Sequence, residues 1–146
     1  MLAQRLTDSL YIEAMVLADE ARAYFDASYQ EDAREALKPF DRVLFSCESL
    51  KVTTRLMHII AWLLTQRAVD AGELSREQVR EPLRRLGPAV VSDEDALERL
   101  PDAARKLIAT SMDLYRRVER IDVGLGDEAA AISPARHLLH RLNQAF

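Results

Sequence analysis

The sequence has a single cysteine, Cys47, so no disulfide can close within the chain and no cysteine-based zinc site can be assembled. Only four glycines occur and aromatic residues are scarce. β-Branched runs of strand length are missing: Ala89-Val90-Val91 comes nearest and is too short. No basic block marks a nucleic-acid footprint, because 20 Lys and Arg are spread along the chain against 24 Asp and Glu. A long hydrophobic run is also absent. The most apolar stretch, Leu56 to Leu64, is bounded by Arg55 and Arg67 and has about half the length a bilayer requires. Asp8, Glu13 and Asp19 stand where a signal peptide needs apolar residues. These absences predict a cytoplasmic chain with no membrane partner and no expected nucleic-acid partner.

What is present favours helix. Across 146 residues nearly half are hydrophobic, which is enough for a real core, and Ala, Leu, Arg and Glu dominate. Leu6, Leu10, Ala14, Leu17, Ala21 and Tyr24 recur at three- and four-residue spacing, flanked by Tyr11, Ala18 and Phe25. They predict an amphipathic first helix ending near Asp26 to Ser28. Pro39 suits the first turn of a second helix, and nothing breaks the pattern before Gly72, a natural stop. That helix would be about 50 Å long at 1.5 Å per residue.

This second helix is apolar on two sides. One stripe, Val43, Cys47, Leu50, Thr54, Met57, Ala61, Leu64 and Ala68, keeps heptad-like spacing. It is read as the core face, with Cys47 a small buried residue on it. A second stripe holds Val52, Leu56, Ile59, Trp62 and Leu63. Two narrow amphipathic neighbours cannot cover both, so Val52, Ile59, Trp62 and Leu63 are expected to form a homodimer interface.

Ser75 and Gln78 make a capping-box pattern for a short helix. Pro82, Gly87, Pro88 and Pro101 then punctuate a connector with at most a helical turn or two. The third main helix starts at Pro101, carries Leu107, Leu114, Val118 and Ile121 with Ile108 and Tyr115 beside them, and is expected to end before Gly124. Its Arg105, Asp113, Arg116, Glu119 and Arg120 should face water. Ser133-Pro134 signals one more short helix, with Leu138, Leu139, Leu142 and Phe146 on its apolar edge. The expected architecture is all-α: an antiparallel three-helix bundle over residues 1–124 with a very long second helix. A flexible tail over 125–146 follows, its apolar edge serving to bind a partner.

No catalytic, cofactor or metal site is expected, and the chain is read as no enzyme. His137 and His140 share a helix face, but no acidic residue or cysteine completes a ligand set nearby. His58 beside the core stripe reads as a packed or hydrogen-bonded histidine. Glu48 and Arg55 are seven residues apart with Lys51 between, and they read as a structural polar layer where helices or subunits cross. Ser46 and Ser49 beside Glu48 lie in a helix interior, which rarely exposes a nucleophile. Gly124 and Gly126 do not make a phosphate loop, because no lysine follows.

Glu48-Ser49, then Thr53-Thr54-Arg55-Leu56-Met57, Trp62-Leu63-Leu64, Gln66-Arg67-Ala68-Val69 and Gly72-Glu73 strongly resemble a family of small helical bacterial proteins, the regulator of CtrA degradation (RcdA) family. The likeness extends to Glu20-Ala21-Arg22-Ala23-Tyr24-Phe25, to Leu100-Pro101 and to the ending Leu142-Asn143-Gln144-Ala145-Phe146. The resemblance implies a dimeric three-helix bundle with a flexible tail. It also implies a non-enzymatic adaptor in cell-cycle control that helps deliver regulatory protein cargo to the ClpXP protease alongside other adaptor components. Two other readings stay open from the residues: a DNA-associated or transcription-linked regulator using the arginine face of the third helix, and a small enzyme built around Glu48, Arg55 and His58.

Overall fold

The computed structural model describes the backbone of residues 2–30 and 37–145, and the side chains of residues 4–27, 37–125 and 141–145. It is all-helical, with no strand among the described residues. Three long helices dominate: α1 (Leu2–Gln30), α2 (Pro39–Asp70) and α5 (Asp102–Ala145). Between the last two lie α3 (Arg76–Val79), a 3₁₀ turn (Pro82–Arg84) and α4 (Glu94–Leu97).

Local chemistry sets the ends of α2. Pro39 stands in the first turn, where its missing N–H costs nothing. At the far end Glu73 N–H donates to Ala68 C=O at 2.8 Å and Gly72 N–H to Val69 C=O at 3.0 Å. This is a Schellman closure, and Gly72 takes the left-handed φ of +78° that it needs. The capping box of α3 is formed as expected: Gln78 N–H donates to Ser75 Oγ at 3.1 Å and Ser75 N–H to Gln78 Oε1 at 2.8 Å.

The core collects Leu10, Ala14, Leu17, Ala21 and Phe25 from α1 and Phe45, Val52, Leu56, Ile59, Trp62 and Leu63 from α2. Ala104, Ile108, Leu114, Tyr115 and Val118 join from α5. The α1 set advances by three and four residues, and the buried polar residues Glu48, Arg55 and Ser111 fill the gaps in the α2 and α5 sets, so each helix buries one stripe. Phe45 meets Phe25 edge-on with ring centroids 5.3 Å apart.

The helix directions differ from an antiparallel bundle. α1 and α2 are antiparallel: Phe25 meets Phe45 at one end, and Tyr11 lies under the Arg67 guanidinium at the other. α2 and α5 are parallel, since Arg55 pairs with Ser111 and, further along both, Trp62 pairs with Asp122. The connector therefore travels back along the whole of α2. Its Arg85 bonds Asp122, Pro88 bonds His58, Val90 bonds Arg55, Ser92 bonds Glu48, and Arg99 lies over the Phe40 ring. A long crossover is the topological requirement for two sequential helices that run the same way.

The third long helix also outlasts its expected end. α5 spans 44 residues and continues through Gly124, Gly126 and Pro134, so no separate helix begins at Ser133. Glycine weakens a helix by about 1 kcal/mol without blocking it, and extending an existing helix avoids the cost of a new nucleus.

Candidate protein-interaction surface

The two apolar faces of α2 have exchanged the places assigned to them. Val52, Ile59, Trp62 and Leu63, expected at a dimer interface, are buried inside the single chain. α1 on one side and α5 with the crossover on the other cover them completely. The physical reason is bulk. This face carries Phe45 and Trp62, and burying large rings contributes more than burying Cys47, Thr54, Ala61 and Ala68. Cys47, expected in the core, is exposed.

The open face is a regular seam. Val43, Leu50, Met57 and Leu64 recur every seven residues and are all exposed, Leu50 to 69% and Met57 to 63%. Cys47, Thr54, Ala61 and Ala68 fill the four-and-three spacing between them. Between Val43 and Leu64 the seam runs about 32 Å. At 100° per residue it lies nearly opposite the buried stripe. Such a 3.5-residue repeat presents a straight line of knobs to a second helix, and the small residues between them allow a close approach.

Glu48 and Arg55 do form a buried polar layer, each only 1% exposed. They lie within one chain and clamp the crossover. Arg55 donates from Nε at 3.2 Å and Nη2 at 2.8 Å to Val90 C=O, and from Nη1 to Ser111 Oγ at 3.2 Å. Ser92 bridges the pair. Its Oγ accepts from Arg55 Nη2 and donates to Glu48 Oε2 at 2.5 Å. Lys51 Nζ adds Glu48 Oε1 at 3.0 Å and Val91 C=O at 3.1 Å. Burial pushes the Arg55 guanidinium below its ordinary value, and the Glu48 carboxylate opposes that shift.

The clamp continues along the groove. His58 Nδ1 lies 3.0 Å from Pro88 C=O, as expected of a hydrogen-bonded histidine. Tyr115 donates its hydroxyl to Gly87 C=O at 2.7 Å. Burial, with Glu119 and Asp122 nearby, pushes that phenol up. Trp62 Nε1 donates to Asp122 Oδ1 at 2.9 Å, and Arg85 Nε donates to the same oxygen at 2.8 Å. An irregular strip of backbone has no ladder of its own, so side chains satisfy its carbonyls. Ser92, Ser111, Arg85 and Asp122 were not singled out from sequence, and Tyr115 was read only as part of an apolar stripe, because their partners are 28 to 60 positions away. A string of polar residues on the inner face of α2, Glu48, Arg55 and His58, was the available signal.

Glu48, Arg55 and His58 therefore face the crossover. Of the expected partner-binding residues of the tail, Leu142 is half-exposed. The side chains of Leu138 and Leu139, those of His137 and His140, and all of Phe146 lie outside the described residues. No group of metal-ligating side chains occurs among the described residues, and no helix among them is long and apolar enough to cross a membrane.

Comparisons with known proteins place these features. The sequence model of the family described as "Protein of unknown function (DUF1465)" matches residues 1–146. No curated protein matches the chain. A solved structure, the crystal structure of RcdA from Caulobacter crescentus CB15, is similar with a TM-score of 0.66 and 32% sequence identity. The similarity covers 82% of this chain and 90% of that one.

Proposed function

The chain belongs to the DUF1465 family, and from that membership and the likeness to RcdA we propose that it is a non-enzymatic, cytoplasmic adaptor in regulated proteolysis. It would work through protein–protein contacts, helping to bring cell-cycle regulatory proteins to the ClpXP protease together with other adaptor components. The observation that carries this reading is the open heptad seam on α2, with Leu50 and Met57 both mostly exposed. A contiguous apolar line of that length on a surface marks a contact site. A second copy is the natural occupant, because a two-fold axis sets a seam against itself. The homodimer is accordingly assigned to Val43, Leu50, Met57 and Leu64. In this reading the helices form the scaffold as a three-helix bundle, and the C-terminal end of α5, where Leu142 is half-exposed, takes hold of a partner.

The test is reconstitution. Purified ClpXP is given a regulatory substrate with its other adaptor components, with and without this protein. Faster substrate loss, reversed by charges introduced in the seam or by loss of the tail, is the expected result. Unchanged degradation with every candidate substrate, together with a monomer in light scattering at tens of micromolar, overturns the reading.

A further inference from the structure

A pocket of about 420 Å³ opens where the start of α1, the end of α2, α3 and the middle of α5 meet. Its walls are largely apolar, built from Leu6, Val69, Val79 and Ile121. That volume lies in the range of small-molecule sites, roughly 300–1,000 Å³. It lies on the core side of α2, beside Trp62, and takes no part in the seam on the opposite face.

Charge at the mouth is specific. Arg76, Arg80 and Arg85 line the pocket together with Asp70 and Asp122. Arg85 is committed to Asp122, with bonds of 2.8 and 3.1 Å to its two carboxylate oxygens. Arg76 and Arg80 have no ion-pair partner among the described residues and are exposed. Three guanidinium groups against two carboxylates leave one positive charge. Gln66, also in the lining, has its amide nitrogen buried without a hydrogen-bond partner. A buried unpaired donor is costly to leave unsatisfied, and an incoming acceptor relieves it.

We propose that this pocket binds a small amphipathic monoanion: an apolar body lying against Leu6, Val69, Val79 and Ile121, and a carboxylate held by Arg76 and Arg80, with Gln66 donating to it. A dianion would leave one charge uncompensated, and a neutral lipid would leave the free guanidinium groups unused.

The chain supplies its own reporter, because Trp62 is its one tryptophan and it lines the pocket. The full-length protein is titrated with decanoate below its micelle concentration while indole fluorescence is followed. Decanol serves as the neutral control of similar size. The expected result is a saturable change in Trp62 emission, with decanol binding at least about tenfold more weakly because it lacks the charge-assisted bonds. Arg76→Gln with Arg80→Gln, both on an exposed short helix and its cap, should weaken decanoate to the level of decanol and leave decanol unchanged. A Trp62 signal that does not saturate overturns the proposal. So does equal binding of acid and alcohol, or decanoate binding that survives the double substitution. The assay needs neither protease nor dimer, so its failure is distinct from failure of the adaptor reading.

Discussion

Arg55 shows most directly how single residues hold this molecule together. Its guanidinium is buried, its charge is opposed by desolvation, and Glu48 offsets that through Ser92. Glu48→Gln strands a buried cation and should destabilise by about 3–5 kcal/mol. Arg55→Met leaves Glu48 its Lys51 partner and should cost less, while the double variant should lose clearly less than the sum. Denaturant unfolding of the four proteins measures this, and additive small losses would contradict the buried layer. Tyr115 is a second case. Its phenol is pushed up, so the folded chain keeps the proton longer than the unfolded one. Its stabilising contribution is full below the unfolded tyrosine value, near 10, and is lost as pH rises through the higher folded value. Tyr115→Phe should cost about 1 kcal/mol at neutral pH through the lost bond to Gly87 C=O. It should also flatten the fall of stability in alkaline melts. Gly87 itself is a matter of space: a Cβ there would stand 2.7 Å from the His58 ring. Gly87→Ala should lower the melting temperature, and His58→Ala in the same chain should recover much of the loss.

At the scale of elements, α2 carries two heptad lines, and much of it was legible in sequence. Pro39, Gly72 and the Ser75–Gln78 box set boundaries through local bonds, so spacing alone located them. The two-sided apolar pattern was legible too. Which side becomes the core was not, because period fixes a face and says nothing of what covers it. The size of Phe45 and Trp62 decides that, together with the polar line Glu48 and Arg55 that the crossover satisfies. The consequence is a sharp contrast between neighbouring positions. Ile59→Ala empties a fully buried site and should cost about 2–5 kcal/mol in unfolding experiments. Leu50→Asp and Met57→Asp, on the open seam, should leave helicity intact by circular dichroism. They should, however, convert a dimer into a monomer in light scattering. Loss of helicity in the seam variants would show that the seam is packed within the chain after all.

For the molecule as a whole, direction matters more than the number of helices. Amphipathic stripes do not specify whether neighbours run parallel or antiparallel, and only the long connector hinted that α5 starts again beside the beginning of α2. This topology aims the two ends of the molecule differently. Trp62 lies level with Asp122, so the end of α2 at Asp70 falls near residue 130 of α5. The remaining 15 or so residues of α5 run on for roughly 20 Å beyond that level. Among the described side chains the last core residue of α5 is Val118, and Leu142 near its end is half-exposed. Residues 141–145 at its end are all exposed and offer surface to a partner. Truncation after Gly126 should therefore leave the melting temperature within a few degrees of the full chain, since the core and the crossover clamps are retained. It should weaken capture of cargo or of a fellow adaptor severalfold and slow substrate delivery in the reconstituted reaction. Unfolding of the truncated chain would mean that the end of α5 is a structural support. Full partner binding without it would move the contact surface onto the seam of α2 alone, where Leu50→Asp would then be the decisive substitution.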